Sequence, residues 1–139
     1  MTKFSTIYLS SFLFLISIFS FFNIIYSNYF DIFYYIENYI YTLTISLFLG
    51  IILILFKKTN TKKITLYEKI FTVLIGYFLF PLIISIPYYF SIQNLTLLNS
   101  YFEAISGFTS TGFTIFENVK QLDESLILWR STSQLSLIH

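Results

Sequence analysis

The chain has 139 residues, of which 56% are hydrophobic and only 11% charged, well below the roughly one quarter of charged residues in soluble domains. Its formal net charge of +1 excludes the strongly basic surface that nucleic-acid binding needs, and a cysteine count of zero excludes disulfides and thiolate metal sites. Aromatic residues reach 22%, dominated by 18 Phe and 12 Tyr, so the composition is that of a membrane protein.

Three apolar segments come first in chain order. Residues 7–26 carry no charge and are long enough for one helical crossing, which takes about 20 residues. A secretory signal is the competing reading, but its apolar core runs only about 7–15 residues. The bulky Tyr26-Ser-Asn-Tyr-Phe30 that follows also offers no small-residue cleavage site. Residues 39–56 form a second predicted span and residues 70–90 a third. Abundant Ile, Phe and Tyr would suit strands in water. Runs of this length without period-2 alternation favour membrane helices instead. In the third segment, Pro81 predicts a kink and Pro87 a boundary at the helix end, neither touching an ion.

Charge placement predicts orientation. Lys57, Lys58, Lys62, Lys63 and Lys69 crowd the connection between the second and third spans, and Lys3 precedes the first. Asp31 and Glu37 mark the first connection, which has no Lys or Arg. Positive residues stay on the cytoplasmic side, so the N-terminus and the lysine-rich connection are expected inside. A docking surface for a cytosolic subunit or anionic lipid is the second reading of those lysines. The third span then runs outward.

After it comes a helix pattern over residues 97–107, too short to cross a bilayer. It leads directly into Phe108-Thr109-Ser110-Thr111-Gly112 and lies between apolar runs. Non-helical backbone at membrane depth persists only where protein buries it or water reaches it. A half-helix followed by small hydroxylated residues and a glycine therefore reads as a re-entrant pore loop entered from outside, whose carbonyls replace an ion's hydration shell. Gly112 permits backbone angles that turn successive carbonyls to one side. Thr109, Ser110 and Thr111 supply carbonyls and hydroxyls, and the helix C-terminus adds partial negative charge. Glu103 keeps two readings, a buried brace of the loop or a direct attractor of cations. Residues 117–125 form a polar outer loop, and a descent begins at Leu126, where Trp129 and Arg130 are expected to anchor the outer interface.

The stretch from Tyr101 to Gly112 and the later Leu126-Ile-Leu-Trp-Arg-Ser-Thr-Ser-Gln134 resemble the membrane subunits of Trk and Ktr potassium-uptake systems. In that family the first pore loop looks like Phe-Phe-Glu-Ala-x-Ser-Gly-Phe-Thr-Thr-Thr-Gly; Ser110 stands here for the commoner Thr. The resemblance implies an all-α membrane protein in which residues 1–63 form two N-terminal transmembrane helices and a cytoplasmic Lys-rich loop. Residues 64–139 would form the first helix–pore loop–helix repeat, truncated in its last helix, so that the chain looks like an N-terminal fragment of the Trk-like branch. It further implies potassium held by Thr109, Ser110, Thr111 and Gly112, with Glu103 and Gly107 in support and no cofactor. A homodimer in full-length form, a cytosolic nucleotide-binding regulatory subunit and a bacterial plasma membrane complete the expectation. No nucleophile–base constellation, phosphate-binding glycine loop or metal-ligand cluster points to an enzyme, and the terminal His139 has no ligand companions. A non-transporting scaffold or inactive truncated product is the first alternative, and a homotetrameric channel the second, though the Thr-Val-Gly-Tyr-Gly filter of that class is absent.

Overall fold

The computed structural model describes residues 6–32, 35–55, 65–117, 119 and 122–135. Lys3, Lys57, Lys58, Lys62, Lys63 and His139 lie outside the described residues, so of the lysines invoked for orientation only Lys69 is placed. The fold is all-helical among the described residues: α1 (Thr6–Tyr29), α2 (Ile36–Leu55), α3 (Leu66–Ser91), α4 (Leu97–Phe108) and α5 (Glu124–Leu135). The first three are long and apolar enough to cross a membrane, and they occupy the three predicted segments. At about 1.5 Å per residue, the 12 residues of α4 fall well short of a hydrocarbon core about 30 Å thick.

α1 packs most extensively on α2, through a seam whose residues are spaced for helix-on-helix contact. Leu9, Leu13, Ile16, Ser20, Asn23 and Ser27 are all buried in α1 at alternating steps of four and three. α2 turns Tyr39, Thr42, Ser46 and Gly50 inward. Small residues let two backbones approach in lipid, where dispersion contacts rather than water exclusion drive association. The turn after α1 closes with Asp31 at φ 55, and the Ile32 N–H donates to the Ser27 carbonyl at 2.9 Å, a left-handed cap of the Schellman kind.

α3 begins earlier than the apolar run, because Thr65 and Glu68 form a capping box. The Glu68 N–H donates to Thr65 Oγ1 at 3.4 Å and the Thr65 N–H to Glu68 Oε2 at 2.9 Å, satisfying two otherwise free donors. Both prolines lie inside this helix. Pro87 is therefore not its boundary: the helix continues to Ser91, because a proline removes one hydrogen bond while neighbours re-satisfy the backbone. Two side chains from outside the helix reach its backbone close to the prolines. Trp129 Nε1 donates to the Ile84 carbonyl at 3.0 Å and Tyr101 Oη to the Phe78 carbonyl at 3.5 Å. Each accepting carbonyl is the next one along from the carbonyl, four residues before a proline, that loses its backbone donor.

α4 folds back against α3, and α5 packs against α1, α3 and α4. The common core gathers Leu13, Ile16, Phe80, Ile84, Tyr88, Ala104, Phe108, Leu126 and Trp129. Thus the half-helix α4 sits on a bed of larger helices with α5 beside it.

Candidate functional site

α4 starts at Thr96, whose hydroxyl accepts from the Asn99 N–H at 3.2 Å, a side-chain N-cap. Its other end determines the geometry of the candidate loop. Thr109 is the C-cap and Ser110 follows at φ 54. The Thr111 N–H donates to the Ser106 carbonyl at 3.0 Å, and the Ser110 N–H to the Gly107 carbonyl at 3.0 Å. These two bonds make a Schellman motif, with serine in the left-handed position usually given to glycine. Gly112 then reverses the chain again at φ 80.

The helix end is thereby consumed internally: the carbonyls of Ile105, Ser106 and Gly107 all accept backbone N–H groups. By contrast, the carbonyls of Thr109, Ser110, Thr111 and Gly112 accept no hydrogen bond among the described residues, and residues 110–112 are exposed. A run of four open carbonyls follows a capped half-helix. The hydroxyls are partly committed. Thr109 Oγ1 donates to the Ile105 carbonyl at 2.7 Å and lies 2.6 Å from Thr111 Oγ1. Because Thr109 has a single hydroxyl proton, Thr111 is the donor in that contact. Ser110 Oγ donates to the Gln134 carbonyl of α5 at 3.3 Å.

Beyond the loop, the returning chain is pinned at three successive residues. The Phe113 carbonyl accepts Ser106 Oγ at 2.6 Å and Arg130 Nη2 at 3.4 Å. Thr114 Oγ1 lies 3.1 and 3.2 Å from the two Glu103 carboxylate oxygens and 3.1 Å from Arg130 Nη1. The Ile115 N–H donates to Glu103 Oε2 at 3.2 Å. Glu103 is wholly buried and forms an ion pair with Arg130. A lone charge in this setting is costly, and pairing with additional hydrogen bonds offsets that cost.

This arrangement fits the bracing reading of Glu103, whose carboxylate oxygens contact Arg130, Thr114 and Ile115. It corrects the expectation for Arg130 and Trp129. Arg130 is 9% exposed and Trp129 is 2% exposed, so neither anchors an interface. The indole instead donates to the Ile84 carbonyl of α3, and the guanidinium neutralises Glu103. Gly107 also has a definite packing reason: a Cβ there would lie 2.8 Å from Ser133 Oγ, so the glycine sets the approach of α4 to α5. Sequence reasoning missed Thr114 and the partnership of Glu103 with Arg130. The available signal was two opposite charges, each isolated in an apolar stretch, since such charges pair in membranes. Among the described residues no cluster of acidic or histidine side chains could hold a metal ion.

The chain is 31% identical over 103 residues to an uncharacterized cation transporter of Methanocaldococcus jannaschii, covering 73% of this chain and 22% of that relative. It is 38% identical over 50 residues to a Trk system potassium uptake protein of Halomonas elongata, covering 36% of this chain and 10% of that protein. No family model matches, and no solved structure does. The chain thus spans between a tenth and about a fifth of the length of these relatives. With three helices fit to cross a bilayer, it is a membrane protein similar in sequence to cation transporters.

Proposed function

We propose that this chain supplies a re-entrant pore loop to a Trk-type uptake transporter. The ion is potassium, and the selecting ligands are the backbone carbonyls of Thr109, Ser110, Thr111 and Gly112. The observation that carries the reading is the run of four carbonyls without donors among the described residues, directly after a half-helix too short to span. Oxygen dipoles held in a fixed ring replace the water a cation sheds on entry. The Glu103–Arg130–Thr114 network holds the return strand, so the carbonyls keep their spacing when the ion leaves. Entry down the membrane potential is favourable by about 2.3 kcal/mol per charge per 100 mV.

One loop provides one strand of ligands, so the complete ring on this reading uses further loops of the same kind. The wider assembly is a homodimer with a cytosolic nucleotide-binding regulator, in a bacterial plasma membrane with the N-terminus inside.

The test is Gly112→Ser in a chimera with a full-length relative. At φ 80 a side chain adds strain of about 1 kcal/mol or more, with nothing within 4 Å to collide with. The effect is therefore on the backbone. The ratio of rubidium to sodium uptake at equal expression is expected to fall before total transport does. Thr114→Ser, which keeps the bridging hydroxyl, is the control. An unchanged ratio for Gly112→Ser would mean that the loop lies outside the selective pathway.

A further inference from the structure

A second feature lies between α1 and α3, next to the last residue of α4. α1 and α3 leave between them a groove of about 160 Å³ whose lining is almost wholly apolar. Its walls are Leu9 and Phe12 of α1 and Val73, Gly76 and Phe80 of α3, and Phe108, the last residue of α4, also lines it. The Phe12 and Phe80 rings stack at 5.1 Å, and Phe80 meets Phe108 edge-on at 6.0 Å. Gly76 creates the depth: a Cβ there would come within 2.8 Å of the Phe80 ring. The groove is lined by the early turns of α1 and by α3 from its second turn to its middle, so both N-termini lie toward the same end of the bundle.

Charge marks that end. Lys69, Val73, Gly76 and Phe80 follow one another at steps of four, three and four, which places them on one helical face. Lys69 is exposed, and its side chain makes no ion pair or hydrogen bond among the described residues. A cation thus stands one turn beyond the mouth of an aromatic-floored slot in a membrane protein. The slot is too small for a helix, whose diameter with side chains is about 10–12 Å, whereas a single acyl chain is narrow and flexible.

We infer that the α1–α3 groove binds an anionic glycerophospholipid of the surrounding bilayer, one acyl chain lying over Gly76 and Phe80 and the phosphate meeting Lys69. The inference is independent of ion selection. It also gives the lipid a contact with Phe108, immediately before the loop.

The experiment purifies the full chain and reconstitutes it in vesicles of phosphatidylcholine with and without phosphatidylglycerol, each lipid carrying a photoreactive group at its acyl end. Phosphatidylglycerol is expected to label peptides containing Phe12 and Phe80 in preference to phosphatidylcholine. Lys69→Ala should lower that preference about fivefold, the factor for one lysine near an anionic surface. Val73→Trp, at an exposed wall position, should fill the slot and abolish labelling by both lipids. Labelling of the wild-type chain confined to α2 or α5 would overturn the inference whether or not the variants fold. So would an unchanged preference in Lys69→Ala, or cross-links from the groove to a second copy in place of lipid.

Discussion

Glu103 and Arg130 decide the local chemistry of the return strand, because each charge is buried against the other. Removing one partner of a buried pair strands the other, at a cost of about 3–5 kcal/mol. Glu103→Gln and Arg130→Met are each expected to lower the midpoint of thermal unfolding in detergent markedly. The double variant should lose much less than the sum, because it leaves no uncompensated charge. Additive losses would show that the pair is not coupled. Thr114 supports the same site differently. Its hydroxyl contacts both partners, so Thr114→Val should lose about 1.5–3 kcal/mol, typical of hydrogen bonds to charged groups. Thr114→Ser should stay close to wild type in the same unfolding assay.

Among elements, the contact of α4 with α5 turns on Gly107 and Ser133. A methyl at Gly107 meets Ser133 Oγ at 2.8 Å but Ser133 Cβ at 3.8 Å, an overlap in the first case and ordinary contact in the second. Gly107→Ala is therefore expected to destabilise by about 1–3 kcal/mol, as overpacking does. In a Ser133→Ala background the same change should be nearly neutral. A double-mutant cycle in unfolding free energy reads the coupling directly, and a coupling of zero would refute close approach at this point. The α1–α2 seam obeys the opposite rule: Gly50 leaves 3.5 Å to Phe14, ordinary contact, so the small residues there permit proximity without depending on a single collision.

For the whole molecule, the testable quantity is topology. The cysteine-free sequence allows single cysteines at Asn28, Thr61 and Asn118, probed with a membrane-impermeant thiol reagent on intact cells. Lysines concentrated before α3 and absent between α1 and α2 motivate the assignment. Asn28→Cys and Asn118→Cys should label from outside, and Thr61→Cys only after permeabilisation. External labelling of Thr61→Cys would reverse the orientation, and with it the side of entry that the proposed function assigns to α4.

Long apolar runs were legible in the amino-acid order because a helix in lipid must satisfy its backbone within itself, making length and hydropathy sufficient evidence. The half-helix was legible for the same reason: residues 97–107 are apolar but too few, and the observed α4 differs from them by one residue at its end. The left-handed turn at Gly112 was likewise signalled by residue type. Other features depended on contacts between segments distant in sequence. The Thr65–Glu68 cap, though local, was hidden because its polar residues stand outside the hydropathy window that defined the span. Pro87 reads locally as a boundary, yet α3 runs on to Ser91, because a proline removes only one hydrogen bond from a helix that packs against α2, α4 and α5. Arg130 reads locally as a snorkelling anchor, yet it is drawn inward by Glu103. Sequence alone determined which segments are long and apolar enough to cross a membrane and that a short helix follows them. Tertiary structure decided which polar groups meet inside it, because a buried charge or carbonyl is answered by whatever donor the packing brings within hydrogen-bond reach.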